Sequence, residues 1–77
     1  MSVNVSLANL QPGEQGWIYS LTTSEPYKLR KLMALGVYPG LPIRLLQKFP
    51  AYVFQVGFTQ VAVDQEIAQE IQITVSG

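Results

Sequence analysis

Apolar and polar positions alternate along this chain with two different periods, and the switches between them divide it into short elements. The helical period is clearest from Lys28 to Gly40. Leu29, Leu32, Met33 and Gly36 fall at i, i+3, i+4 and i+7, one face of a helix, with Lys28, Arg30 and Lys31 on the opposite, solvated side. Ser24 is the expected N-cap, and Pro26 suits an N-terminal helical position. Gly36 fits the left-handed residue after the helix, which would bring Val37 back onto Leu32 as a Schellman stop. Tyr38-Pro39-Gly40-Leu41 then reads as a type II turn, with Pro fixing φ at its second position and Gly supplying a positive φ at its third.

The period of two appears on both sides of this piece. Gln15 to Leu21 predicts a first strand with Trp17, Tyr19 and Leu21 on one face and Ile18 on the other. Gly16 at its start indicates a bulge or a close backbone approach. Leu41 to Phe49 predicts a second, with Ile43, Leu45 and Gln47 opposite Arg44, Leu46 and Lys48, and with Pro42 at an unpaired or edge position. Ala51 to Val56, Gln60 to Val63 and Glu70 to Val75 complete the strands, the last alternating Ile71, Ile73 and Val75 with Glu70, Gln72 and Thr74. Ser6 to Leu10 suits a single helical turn that caps a core, and Gln11-Pro12-Gly13 ends it. Asp64 to Ala68 suits another such turn, with Ile67 inward. This order predicts a small all-β fold: a five-stranded, antiparallel SH3-like barrel with a short helix in its first long loop.

Composition narrows the class. Seventy-seven residues suit one domain, read here over 1–77. There are no cysteines and no histidines, so neither disulfides nor a Cys/His metal site can form. Five basic and five acidic residues balance, and only 13% of the chain is charged, which argues against a nucleic-acid surface. No apolar run approaches the ~20 residues of a membrane span, and the first residues lack the pattern of a signal peptide. A soluble, cytoplasmic domain is expected.

Candidate chemistry is sparse. Glu14, Glu25, Asp64, Glu66 and Glu70 are scattered, and catalysis needs a base or nucleophile with a positioned partner. Asp64 and Glu66 read first as caps of their helical turn; as ligands, two carboxylates would hold a divalent cation weakly. Gly13-Glu14-Gln15-Gly16 is turn chemistry, since no Lys-Ser/Thr and no strand-to-helix context make it a phosphate loop. Lys28, Arg30 and Lys31 read first as a solvated helix face and second as a docking patch. Trp17, Tyr19, Tyr27, Phe49, Tyr52, Phe54 and Phe58 are expected mostly in or at the edge of the core. Tyr38, beside a turn, is the aromatic expected at the surface, where it would serve as a partner anchor.

The run Arg30-Lys31-Leu32-Met33-Ala34-Leu35-Gly36-Val37-Tyr38-Pro39-Gly40 resembles the ferrous iron transport protein A (FeoA) family, which shows a basic residue, Leu, two variable residues, Leu-Gly, an aliphatic residue and then Pro-Gly. Leu7, Leu10, Pro12-Gly13 and Gly16 resemble the family's opening, and Val61-Ala62-Val63, Ile67-Ala68 and Ile71 its close. The C-terminal SH3-like domain of some iron-dependent repressors shares much of this pattern. Lys48-Phe49-Pro50-Ala51 departs from it, lacking a Gly-Asp-Pro type loop. The resemblance implies a cytosolic, non-catalytic accessory protein of ferrous iron uptake, binding and regulating a membrane transporter with a GTPase domain. It implies a structural role for Leu29, Leu32, Met33, Leu35, Gly36, Pro39 and Gly40. It links the chain to transition metal only through that partner, with no cofactor and no metal ligands of its own. Arg30, Lys31 and Tyr38 are the expected partner-binding residues. The alternative is a general SH3-like interaction module, either repressor-associated or peptide-binding; the length, with no DNA-binding segment attached, speaks against the repressor form.

Overall fold

Two alternating runs far apart in sequence, Val3-Asn4-Val5 and Ile73-Thr74-Val75, meet as paired neighbouring strands in the computed structural model, which describes residues 2–76. The strands are β1 (Ser2–Ser6), β2 (Gln15–Leu21), β3 (Pro42–Gln47), β4 (Tyr52–Val56), β5 (Thr59–Val63) and β6 (Ile71–Ser76). They form one antiparallel sheet in the order β1-β6-β2-β3-β4-β5, so β1 and β5 are its edges. The all-β expectation holds, with six strands instead of five. The additional strand is β1, five residues long, whose ladder comes entirely from the other end of the chain.

Inside the sheet lies a single apolar core. Ile18, Ile43, Leu45, Phe54, Val56, Val61, Val63, Ile71 and Ile73 come from the strands. A 3-10 turn at Leu7–Asn9 closes it with Leu7 and Leu10, as the spacing of those two residues predicts. The second helix, α2 (Gln65–Gln69), adds Ala68, which is fully buried, while Ile67 is only partly buried. No polar side chain is buried in this core among the described residues.

The period of two is interrupted twice. Between β2 and β6 the register runs Ile18↔Ile73 and then Ser20↔Gln72, so Tyr19 is an extra residue and Leu21 moves to Ile18's side, opposite Ile71. The expected grouping of Leu21 with Trp17 and Tyr19 is thereby corrected. A second irregularity, between Leu45 and Gln47, places Gln47 opposite Val53 and leaves it exposed instead of continuing the Ile43–Leu45 face. Gly16 makes the close approach its position suggests. A Cβ there would fall on the carbonyl oxygen of Thr74 and 2.8 Å from Cγ2 of Ile73, so only glycine lets β6 lie this near β2.

Helix α1 spans Pro26–Ala34. Its N-cap is Glu25, not Ser24: Pro26 occupies the first helical position, and the residue before a proline is held extended (φ −96°, ψ 114°). Thr23 Oγ1 accepts from the Glu25 N–H at 3.3 Å, and no side chain caps the helix. The other end follows the expected stop. Gly36 has φ +93°, its N–H donates to Met33 O at 3.0 Å, and the Val37 N–H donates to Leu32 O at 3.0 Å. Val37 and Leu32 are both buried, so the stop drives an aliphatic side chain into the core. Burying such a residue contributes roughly 1.5–3 kcal/mol. The turn after it is also as expected, with Gly40 at φ +93° and the Leu41 N–H donating to Tyr38 O at 3.3 Å.

Two glycines therefore fail differently on substitution. Gly36 has open space around its missing Cβ, so Gly36→Val costs on the order of 1–2 kcal/mol or more, from backbone strain alone. Gly16→Ala meets backbone and costs about 1–3 kcal/mol through overpacking. Urea denaturation should show a lowered midpoint for both; an unchanged midpoint for Gly36→Val rejects the cap assignment.

Candidate functional site

The basic side chains of α1 do not act as one group. Lys28, expected on the solvated side, is largely covered, and its Nζ donates to Glu66 Oε1 at 2.8 Å with Glu25 Oε2 at 3.7 Å. This pair joins α1 to α2, which α1's own sequence could not reveal. The hydrogen bond to Glu66 outweighs desolvation and, with the nearby carboxylates of Glu25 and Glu70, pushes the Lys28 pKa up from 10.5 to about 12. Because the folded value is the raised one, the pair's stabilisation is whole below about 10.5 and is lost as pH rises through about 12. Arg30 and Lys31 are exposed and have no ion-pair partner among the described residues.

Lys31 borders a groove of about 230 Å³ between α1 and edge strand β5, floored by Leu32, Leu35 and Ile67; Arg30 and Tyr38 do not line it. Tyr38 instead sits on the turn that is fastened to β2, where the Gly40 N–H donates to Ile18 O at 2.7 Å and the Ile18 N–H donates to Leu41 O at 2.9 Å. It is 46% exposed, matching its expected surface position. The other aromatics were expected mostly inside, and the structure corrects this. Only Phe54 is fully buried and Tyr52 partly so, whereas Trp17, Tyr19, Tyr27, Phe49 and Phe58 are all exposed. For Trp17 and Tyr19 the reason is parity: Gly16 and Ile18 take the inner face of β2, which turns these two outward. Tyr27 lies on α1, and Phe49 and Phe58 lie in the β3–β4 and β4–β5 connections.

That outer face carries the larger concavity, about 440 Å³, with Trp17 and Pro42 opposite one another and Gln15, Arg44 and Gln55 in the adjoining row. Arg44 Nε donates to Gly13 O at 3.4 Å, and no carboxylate pairs with its guanidinium among the described residues. Gly57 lies at one end, next to the fully exposed Phe58 of the β4–β5 turn.

The carboxylates take local roles. Asp64 is the N-cap of α2, its Oδ1 accepting from the Ile67 N–H at 2.9 Å, while Glu66, also expected to cap, serves Lys28 instead. Glu14 Oε1 accepts from the Gln11 N–H at 2.6 Å within the 11–14 turn. No group of three or more metal-ligating acids occurs among the described residues. None of their helices is long and apolar enough to cross a membrane.

The model of the FeoA domain matches residues 5–75. The chain belongs to the FeoA family. Its fold is that of an NMR structure of FeoA from Chlorobium tepidum, 22% identical, with a TM-score of 0.84 over 95% of this chain and 72% of that one. The zinc complex of FeoA from Stenotrophomonas maltophilia is 25% identical, with a TM-score of 0.75 over 87% of this chain and 86% of that one. That protein is described as a prokaryotic SH3 domain protein and a candidate ferrous iron transport activating factor. IdeR from T. acidophilum is 22% identical with a TM-score of 0.88, but this chain covers only 35% of it. No curated protein matches the chain.

In this family member Arg30, Lys31 and Arg44 are exposed without an ion-pair partner among the described residues, most aromatics face outward, and Lys28 bridges α1 to α2. Lys28→Met should lower stability by an amount that shrinks as salt rises, read as denaturation midpoints at low and high ionic strength. Calorimetric titration of the isolated protein with Fe²⁺ should find no submicromolar affinity; such affinity would overturn the assignment of its carboxylates to caps and ion pairing.

Proposed function

We propose that this chain is a non-catalytic accessory protein of ferrous iron uptake, which binds and regulates a membrane ferrous iron transporter through its cytoplasmic GTPase part. The observation that carries it is the FeoA match over residues 5–75, on an SH3-like scaffold whose functional groups face outward. The activating role offered for the S. maltophilia relative fits the same assignment. The proposed docking residues are Arg30, Lys31 and Tyr38: a half-exposed aromatic anchor after the helix stop, with unpaired cations on the helix before it. Interfaces favour an aromatic anchor with a charged rim. In such an interface Tyr38 would contribute ~2 kcal/mol, and the charges mainly the on-rate and its salt dependence.

A second reading, a repressor-associated interaction module, is favoured by the likeness to the repressor fold, including a manganese-dependent repressor of which this chain covers 44%. Binding to the purified GTPase domain separates the two, since the repressor reading predicts none. Tyr38→Ala and the double variant Arg30→Glu/Lys31→Glu should bind that domain more weakly while keeping the parent's thermal stability. If both bind like the parent, the docking face lies elsewhere. If Tyr38→Ala mainly lowers stability, Tyr38 is a cover for the core.

A further inference from the structure

We propose that the outer groove spanning β2, β3 and β4 is a docking site for an extended, acidic, proline-bearing segment of a partner protein. Three features of the groove select that occupant. Trp17 and Pro42, paired across β2 and β3, form an apolar platform on which proline rings can lie; proline-rich segments use such aromatic-lined grooves because their backbone is already extended. Arg44 stands one register step away, opposite Gln15 and Gln55. Its guanidinium holds only a long hydrogen bond to Gly13 O and faces no anion in the groove, so it is free to take a carboxylate through its fork of donors. Glu14, the acid next to this row in sequence, is engaged with the Gln11 N–H. The Gln15 amide beside Arg44 can meet a backbone carbonyl of the occupant.

Charge sign fixes the choice among extended ligands. A basic peptide would bring its charge against Arg44 with nothing in the groove to offset it. A nucleic-acid strand would ask for several phosphate contacts from a chain whose charges sum to zero, and this groove offers one cation. The site is independent of the transporter assignment and can be tested without the transporter.

Trp17 is the only tryptophan of the chain, so its emission reports occupancy directly. The probe is a capped nonapeptide of three Pro-Pro-Glu repeats, compared with the same peptide carrying Gln or Lys for Glu and with a thymidine oligonucleotide. The acidic peptide should saturate a Trp17 emission change, and its affinity should fall at least tenfold with Gln and vanish with Lys. With a fluorescein-labelled acidic peptide followed by anisotropy, Arg44→Gln should lose at least tenfold. Lys48→Gln, which removes an equal charge from the β3–β4 connection, should bind like the parent. Far-UV circular dichroism of Arg44→Gln should match the parent, because Arg44 is exposed. Equal binding of the Glu and Gln peptides, absence of binding, stronger response to the oligonucleotide, or equal losses at Arg44 and Lys48 would each overturn the proposal.

Discussion

Two hydrogen bonds on Ile18 hold the helical insertion to the sheet: its carbonyl accepts from the Gly40 N–H, and its own N–H donates to the Leu41 carbonyl. The same residue places a side chain in the centre of the core, so one position fixes both the inside of β2 and the edge of the turn. The chain reaches this clasp only because Gly36 and Gly40 both take φ +93°. The first ends α1 and sends Val37 inward; the second reverses the chain so that β3 begins at Pro42, opposite Trp17. The β2–β3 register, and the β3–β4 register as far as Leu45, follow from that start. Arg44 meets Gln15 and Gln55, and Ile43 and Leu45 face the core. In the architecture, the helix and its stop are thus the means of delivering β3 to β2 in one register.

How far the sequence disclosed this depended on the range of each signal. The helix stop and the type II turn were legible because a few adjacent residues carry them, and their glycines have no alternative role. Gly16 was legible as a close approach, and its parity with Ile18 would have turned Trp17 and Tyr19 outward had the two facts been combined. β1 was not legible: Val3-Asn4-Val5 is too short to announce a strand, and its partner lies at the far end of the chain. The extra residue at Tyr19 was hidden for a related reason. A bulge answers the twist of the paired strand, and alternation within one strand does not record it. Lys28 looked solvated for want of Glu66, thirty-eight residues away, which reaches it only when α2 folds beside α1.

At the candidate site the sequence was a weaker guide, and the physical cause is that the family pattern is largely scaffold. Leu32, Gly36, Val37 and Gly40 do internal work, in the core or at positive φ, and their side of the chain has little to offer a ligand. The groups proposed to recognise another molecule sit, apart from Lys31, on positions the pattern does not specify. Tyr38 is on the turn, Arg30 and Lys31 on the helix's outer side, and Trp17 and Arg44 on the outer face of the sheet.

The likeness to repressor domains is consistent with this division. A core and clasp of this kind can be retained while the outer residues change, so fold similarity at low identity carries the scaffold and not the task. On this scaffold the chain carries an outward tryptophan and an arginine that pairs with no carboxylate among the described residues. Neither is required by the packing: the sheet fills its interior with aliphatic residues and Phe54. A half-exposed indole beside an uncompensated guanidinium leaves apolar surface hydrated and a charge without an internal partner. The Trp17–Pro42 pair contributes across the strands, and a partner that covered the ring and supplied an anion would satisfy both groups at once.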